Sequence, residues 1–220
     1  MVIPRIIKKY LNNRPDSSFR EKSVSCLTFD DGPDPRTTPQ ILDLLSKHGI
    51  KATFFVLGQN VRKNPELFYS ISELGHEIAE HSYKHLHPGK IDPITYFADL
   101  AKGKNIINEM IGSNRQRFFR PPYGEVNLLT YIYVILYQRK IIFCNLNSFD
   151  YLYTSSGKII SEIVLSQLGP GQIIQFHDGR FVSDRELSDP KVTIEALEII
   201  LSSNKAKEIK FATLSEAFEK

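Results

Sequence analysis

The sequence has no tryptophan, only two cysteines and no long apolar run. Two cysteines cannot form the disulfide framework of a small secreted domain, and both Cys26 and Cys144 lie in apolar segments that favour burial, so we expect a reducing compartment. The most apolar stretch, Leu128–Tyr137, has about half of the roughly 20 residues that span a bilayer. We therefore expect a tightly covered helix there, with a membrane or partner contact as the alternative.

Basic residues are concentrated at the N-terminus. The net charge is +3, and residues 1–14 carry +4 from Arg5, Lys8, Lys9 and Arg14 with no acidic residue, which leaves 3 − 4 = −1 for the rest. Because these charges interrupt the apolar core that a signal peptide needs, we expect no export and a cytoplasmic location. The arm, residues 1–22, is expected to be a solvated leader, with peripheral contact to an anionic membrane as the alternative. No basic stripe indicates nucleic-acid binding.

The length of 220 residues and the hydrophobic content of 41% predict one globular domain over residues 23–220. Apolar runs of strand length alternate with segments of helical periodicity. Strands are predicted at Val24–Phe29, Ala52–Leu57, Glu77–Glu80, Arg117–Arg120, Ile141–Leu146, Gln172–Phe176 and Ile209–Thr213, and helices at Thr38–Lys47, Pro65–Leu74, Pro93–Ile111, Asn127–Lys140, Lys158–Leu168 and Lys191–Ser203. Strict alternation predicts an α/β fold with a parallel sheet, either doubly wound or closed into a barrel.

Polar side chains collect where the predicted strands end. This is the edge at which parallel α/β folds carry their active sites. The residues, in chain order, are Asp30, Asp31, His81, His85, Arg120, Asn147, Asp150, His177 and Asp178. Independent turns would not concentrate reactive side chains in this way, so we expect a catalytic or metal site at this edge.

Four histidines, His76, His81, His85 and His87, lie within twelve residues. The His81-x-x-x-His85 spacing would put two imidazoles on one face of a helical turn, and with one carboxylate they suit Zn²⁺ with an open position for water. A zinc-protease motif would have glutamate after the first histidine, whereas this chain has Ser82. The alternative is a pair of ordinary loop histidines.

The first strand is followed by Asp30-Asp31-Gly32-Pro33 rather than by a phosphate-binding loop. These residue types are common in turns, which is one reading of the segment. Two adjacent carboxylates after a buried strand are nevertheless costly unless a cation or different protonation states separate them. The second reading is that one carboxylate binds a metal while the other takes a proton from water.

The motifs resemble those of the polysaccharide deacetylase family, also called the NodB-homology family or carbohydrate esterase family 4. The stretches that carry the resemblance follow the family order and are TFDDGP at 28–33, HSxxH at 81–85, RPPYG at 120–124, NLNSFDY at 145–151 and QFHD at 175–178. They extend the resemblance over almost the whole chain, from about 23 to 215. The resemblance implies a distorted (β/α)7-type barrel with mostly parallel strands, in agreement with the seven strands predicted above.

The resemblance also implies an activity, the metal-dependent removal of an N-acetyl group from an amino sugar in an oligosaccharide, glycan or glycolipid precursor. Asp31, His81 and His85 would hold one divalent metal, most simply Zn²⁺, with Co²⁺, Ni²⁺ or Mn²⁺ as alternatives. Asp30 would be the general base, and His177 the general acid that protonates the leaving amine.

The third motif, by the same resemblance, would support the substrate and the transition state. Arg120 would orient the base. Pro121 and Tyr123 would also belong to this support, and the backbone N–H of Tyr123 would help to stabilise the oxyanion.

Several positions depart from the family pattern. Glu80 replaces an asparagine, and either fixes an imidazole tautomer or is a simple strand-end acid. Asn147 replaces the aspartate that pairs with the motif-three arginine, so either that arginine is held more loosely or Asp150 takes over the contact.

Two further departures concern the acyl pocket. Tyr151 replaces a tryptophan, and Gln175 replaces a leucine that packs on the acetyl methyl group. A more polar pocket would admit a formyl or another polar acyl group. The alternatives to N-deacetylation are therefore an O-acetyl carbohydrate esterase on the same metal site and a carbohydrate-binding homologue that has lost turnover.

Overall fold

The computed structural model describes residue 19 and residues 22–112, 117–152, 156–179, 189 and 191–219. Most of the predicted basic arm, 1–22, lies outside the described residues, and its boundary and membrane contact stay predictions. Phe19, within that arm, is buried against the ring of Phe218. None of the helices in the described ranges is long and apolar enough to cross a membrane.

Seven parallel strands form one sheet. They are β1 Cys26–Asp30, β2 Thr53–Val56, β3 Glu77–Glu80, β4 Phe118–Phe119, β5 Lys140–Ile141, β6 Leu146–Asn147 and β7 Ile173–His177. Their order across the sheet is β5-β4-β3-β2-β1-β7-β6. The two edge strands, β5 and β6, are joined by residues 142–145 alone, so the sheet curls until its edges approach each other. The predicted barrel-type α/β fold is confirmed as a curled half-barrel.

Two of the seven predicted strands are wrong. The single strand predicted at Ile141–Leu146 is divided between β5 and β6, because this segment crosses the opening of the half-barrel instead of pairing along one neighbour. Its crossing residues bond to both sides, since the carbonyl of Ile142 accepts from the Arg120 side chain and the N–H of Asn145 donates to Ile173. The last predicted strand, Ile209–Thr213, is one bridge between Ser25 and Phe211.

All six predicted helices are present. They are α1 Thr38–Lys47, α3 Pro65–Glu73, α4 Pro93–Ile111, α5 Leu128–Leu136, α6 Gly157–Gln167 and α7 Lys191–Ser202, and the described ranges add the short helices α2 Gly58–Lys63, α8 Asn204–Lys207 and α9 Leu214–Glu219. Helix α5 is shorter than the predicted Asn127–Lys140, because Asn127 caps its first turn and Lys140 belongs to β5. It is also less covered than predicted, since Leu128 and Leu136 are 60% and 59% exposed.

Alternation along β1 separates two apolar layers. Leu27 and Phe29 face the helices and pack with residues such as Ile41, whereas Cys26 faces the inside of the half-barrel with Phe55. Thr28 and Asp30 share the face of Cys26, so β1 directs its last side chain into the carboxyl end of the half-barrel. The active-site edge expected from the sequence is therefore the open end of a packed interior.

Candidate metal centre and active site

Asp30 ends β1 with its carboxylate buried. Arg120, which follows β4, donates from Nη1 to Oδ1 of Asp30 at 2.6 Å and to Oγ1 of Thr28 at 2.9 Å. Its Nε donates to the carbonyl of Ile142 at 3.3 Å, and its guanidinium lies 4.1 Å over the ring of Phe55. The predicted contact between Arg120 and Asp30 is present, and it orients one oxygen of the carboxylate.

Asp31 leaves the strand in the left-handed region, with φ 75°, so its side chain turns away from that of Asp30. Its Oδ1 lies 3.5 Å from Nε2 of His81 and 3.6 Å from Nε2 of His85. These three atoms lie within 4.8 Å of one another. Oδ1 of Asp31 is buried and has no hydrogen-bond partner among the described residues.

The two histidines converge through a loop and not through the helical turn that their spacing suggested. Ser82 and His85 adopt left-handed φ values of 73° and 60°. Asp99 of α4 accepts hydrogen bonds from the two backbone N–H groups that follow Ser82, at 3.2 and 3.1 Å. Gly103 of the same helix lets α4 approach this loop, because a Cβ there would lie 2.4 Å from the carbonyl of Ser82. Helix α4 therefore fixes the loop that carries the histidines.

The orientation of the imidazoles suits a metal. Nδ1 of His81 lies 2.7 Å from the carbonyl of Arg120, and since that oxygen can only accept, Nδ1 carries a hydrogen and Nε2 is the ring nitrogen that faces Asp31. Burial lowers the pKa of His85 to about 4, so this ring is neutral at pH 7. Two converging imidazole nitrogens and one carboxylate oxygen without a hydrogen-bond partner among the described residues fit a divalent cation such as Zn²⁺.

His177 ends β7 and is the register neighbour of Asp30 on β1. Its Nδ1 lies 2.7 Å from Oδ1 of Asp150, and Oδ2 of Asp150 accepts from the backbone N–H of His177 and from Oγ1 of Thr193. Burial alone would lower the pKa of His177, but the Asp150 carboxylate raises it to about 9. His177 therefore carries a proton at neutral pH in the metal-free protein.

The alternative in which Asp150 takes over the contact with Arg120 is not observed, and Asn147 forms no hydrogen bond with Arg120 among the described contacts either. Asp150 is occupied by His177, as described above, and Asn147 bonds to Gln175 at 3.2 Å and to the backbone N–H of Phe149 at 2.7 Å. The fourth motif could not predict these partners of Asn147, because an asparagine amide can both donate and accept hydrogen bonds. Nη2 of Arg120 is left without a hydrogen-bond partner among the described residues.

Gln175, which we predicted to lie in the acyl pocket, contacts Asp30, the predicted base. Its Nε2 donates to Oδ2 of Asp30 at 2.6 Å. Its Oε1 accepts from Nδ2 of Asn147 at 3.2 Å and from Sγ of Cys144 at 3.0 Å. The effect of Gln175 on the accepted acyl group stays a prediction.

The remaining predicted support residues border this cluster. Tyr123, with φ 60°, lies in the turn after the buried Pro121, and its ring is 4.6 Å from that of His85. Tyr151 meets the ring of His177 edge-on at 5.4 Å. The predicted metal ligands, acid, base and support residues therefore lie around one opening, where the carboxyl ends of the parallel strands meet.

Glu80 does not fix an imidazole tautomer. Its buried carboxylate accepts from the hydroxyl of Tyr133 at 2.6 Å and from Nε of Arg139 at 2.9 Å. Both partners come from the α5 region, so Glu80 ties that region to β3. The tautomer of His81 is set by the carbonyl of Arg120 instead.

Asp178 supports the turn after β1. It accepts from the N–H of Gly32 at 3.1 Å and from Oγ1 of Thr38 at 2.6 Å, and burial raises its pKa to about 7. A Cβ at Gly32 would lie 2.0 Å from this carboxylate, so the approach requires glycine.

Four residues that support the site were not predicted from the sequence. Asn60 donates to the backbone carbonyl of Asp31, and Asp99, Cys144 and Thr193 make the contacts described above. One of them had a detectable signal. Asp99 lies on the face of α4 that carries Tyr96 and Gly103, where the helical period predicts an apolar residue.

Comparison with known proteins agrees with this geometry. The family model described as "Polysaccharide deacetylase" matches residues 17–135. Over 202 residues, the chain is 33% identical to a peptidoglycan-N-acetylglucosamine deacetylase of Bacillus cereus, a match that covers 90% of this chain and 69% of that protein.

Solved structures give the same result. The chain is similar to a peptidoglycan N-acetylglucosamine deacetylase crystallised with 4-naphthalen-1-yl-N-oxidanyl-benzamide, with a TM-score of 0.79 and 32% identity over 91% of this chain and 90% of that one. It is also similar to a carbohydrate esterase family 4 pseudoenzyme of Bacillus anthracis, solved as a mutant with restored enzymatic activity, with a TM-score of 0.76 and 25% identity over 90% of this chain and 68% of that one. The family predicted from the motifs is confirmed: the chain belongs to the polysaccharide deacetylase family, whose named relatives include carbohydrate N-deacetylases.

Proposed function

We propose that the chain is a metal-dependent hydrolase that removes the N-acetyl group from an amino sugar in an oligosaccharide, glycan or glycolipid precursor. The observation that carries the proposal is the convergence of three units at one opening. The units are the ligand set of Asp31, His81 and His85, the base candidate Asp30, and the acid candidate His177.

Asp31, His81 and His85 would hold the metal, and their nitrogen and oxygen donors favour Zn²⁺, with Co²⁺, Ni²⁺ or Mn²⁺ as alternatives. When bound, a divalent cation supplies Lewis-acid polarisation of the amide carbonyl and lowers the pKa of a nearby water molecule. Three protein ligands would leave a fourth coordination position open, as a catalytic metal site requires.

The protein's own side chains move the protons. Asp30 takes a proton from water as the water oxygen forms its bond to the acyl carbon. When the C–N bond breaks, His177 gives its proton to the amine nitrogen, and acetate and the free amino sugar are the products. The Asp150 carboxylate keeps His177 protonated and aimed, while the backbone N–H of Tyr123 is the predicted donor to the oxyanion.

The test is mass spectrometry of N-acetylglucosamine oligomers after incubation with zinc- or cobalt-loaded protein. We expect the loss of acetyl groups by the wild type, and Asp30→Asn should retain the metal while losing at least about a hundredfold in rate. An Asp30→Asn variant that loses its metal would overturn the assignment of the base, since Asp30 would then be a ligand.

The pseudoenzyme among the similar structures makes a turnover-deficient homologue the second candidate. The same incubations separate the candidates. Sugar binding without loss of any acyl group by the metal-loaded wild type, across a panel of sugars, would favour that candidate. Hydrolysis of an aryl acetate without amide hydrolysis would favour an esterase instead.

A further inference from the structure

We propose that Gln175 is a positioning residue for the general base, at the end of a one-directional chain of hydrogen bonds that starts at the backbone N–H of Phe149. The chain runs from that N–H through the side chains of Asn147 and Gln175 to Oδ2 of Asp30. The inference rests on the proposed function, because it takes Asp30 as the base.

The direction of this hydrogen-bond chain follows from the groups at its two ends. A backbone N–H can only donate, so the bond of 2.7 Å from Phe149 fixes Oδ1 of Asn147 as its acceptor and turns Nδ2 toward Gln175. A carboxylate can only accept, so the 2.6 Å contact at Asp30 requires Nε2 of Gln175 as its donor. The 3.2 Å bond between the two amides then has one allowed direction, from Asn147 to Gln175.

Cys144 reinforces that direction. Its Sγ lies 3.0 Å from Oε1 of Gln175. Burial raises the pKa of this thiol, so it keeps the hydrogen that it donates. Oε1 of Gln175 thus faces two donors, and a flipped amide would place its N–H groups against both of them.

The hydrogen-bond chain complements the contact between Arg120 and Asp30. The guanidinium holds Oδ1 of Asp30 at 2.6 Å, and one such bond leaves a carboxylate free to rotate about Cβ–Cγ. Gln175 holds the second oxygen, so the two donors together fix the plane of the carboxylate. A base works only within hydrogen-bond reach of the proton that it takes, and a displacement of about 1 Å can cost about a hundredfold in rate.

The two departures at 147 and 175 therefore form one unit. An aspartate at 147 would keep the bond from Phe149 but would have no N–H to offer Gln175. Gln175 would then turn its own NH₂ group toward the new carboxylate and its oxygen toward Asp30, where two acceptors would face each other. Asn147→Asp thus breaks the hydrogen-bond chain, although it restores the residue type that pairs with the motif-three arginine in the family pattern.

The kinetic test compares Gln175→Met, Asn147→Asp and their double variant in the zinc-loaded protein, with an N-acetylglucosamine oligomer as substrate. Methionine matches the length of glutamine but has no N–H, and Gln175→Leu serves as the second variant at that site. We expect each single variant to lose about ten- to a hundredfold in kcat with KM nearly unchanged. The double variant should lose no more than the worse single variant, because one break already interrupts the chain.

Asn145→Asp is the matched control. Asn145 lies in the same segment, and within the described part of the chain its side chain bonds only to backbone groups, those of Gly171 and Ile173. The same amide-to-acid change there lowers stability but should leave kcat within about twofold. A control that loses as much kcat as Asn147→Asp would overturn the inference, since the effect would then be structural.

A second readout needs neither metal nor turnover. In ¹⁵N-labelled metal-free protein, one side-chain N–H of Gln175, identified by its loss in Gln175→Met, should resonate downfield and exchange slowly. Asn147→Asp should abolish both features, and Asn145→Asp should preserve them. An ordinary, rapidly exchanging Gln175 amide in the wild type would overturn the inference.

The two readouts also separate the inference from the proposed function. A wild type that is active, with Gln175→Met equally active, contradicts the positioning role and leaves the function standing. A wild type that binds metal but deacetylates nothing contradicts the function, and the amide signals then decide whether the hydrogen-bond chain exists.

Discussion

At the residue scale, the candidate acid and base differ in what holds them. Asp150 binds both the imidazole and the backbone N–H of His177, whereas Arg120 and Gln175 donate to the two oxygens of Asp30. The motifs predicted that the two functional groups would meet, because each ends a parallel strand. They did not predict these partners, since hydrogen bonds between side chains far apart in sequence leave no periodic signal.

The Asp150–His177 pair makes stability depend on pH. The pKa of His177 is raised from 6.5 to about 9 in the metal-free fold, so its stabilising contribution is fully present below pH 6.5 and is lost as the pH rises through 9. Urea unfolding of the wild type and His177→Gln should show a stability gap that narrows by about 2–3 kcal/mol from pH 6 to pH 10. A gap that stays constant over this range would contradict the assignment of the pair.

At the element scale, α4 decides the shape of the loop with the two histidines. The sequence predicted this helix with its observed bounds, Pro93–Ile111, since its caps and its apolar period agree. Its contribution to the site was not predictable, because the close approach of Gly103 to Ser82 depends on how the helix lies against β3. The expected helical turn at the histidines failed for the same reason, because Asp99 holds that loop in a non-helical path.

Gly103→Ala tests this role of α4. The added methyl group would lie 2.4 Å from the carbonyl of Ser82, so the loop or the helix must move. We expect a loss of about 1–3 kcal/mol in the free energy of unfolding and a weaker affinity for zinc. Urea unfolding and zinc titration measure the two effects. Asn105→Ala, at an exposed position of α4, should leave the zinc affinity unchanged and should not lower stability. A Gly103→Ala variant with unchanged zinc affinity would contradict the role.

At the scale of the whole molecule, the curled sheet brings the five motifs together. Strict alternation of strands and helices was sufficient to predict a parallel sheet, and the resemblance supplied the barrel. The crossing of the opening by residues 142–145 was not predictable, because an apolar run that leaves one sheet edge for the other looks like one strand. The result is a packed interior with its polar groups at one end, where a cation and a sugar amide would meet.

The central claim is that one metal ion and Asp30 act together in hydrolysis at this end of the half-barrel. The most direct measurement is the rate of deacetylation of an N-acetylglucosamine oligomer while zinc is titrated into metal-stripped protein. The account predicts that the rate rises from near zero to a plateau at about one zinc per chain. It also predicts that Asp30→Asn binds the same zinc and gives almost no product. A stripped protein as active as the loaded one, or an Asp30→Asn variant as active as the wild type, would contradict it.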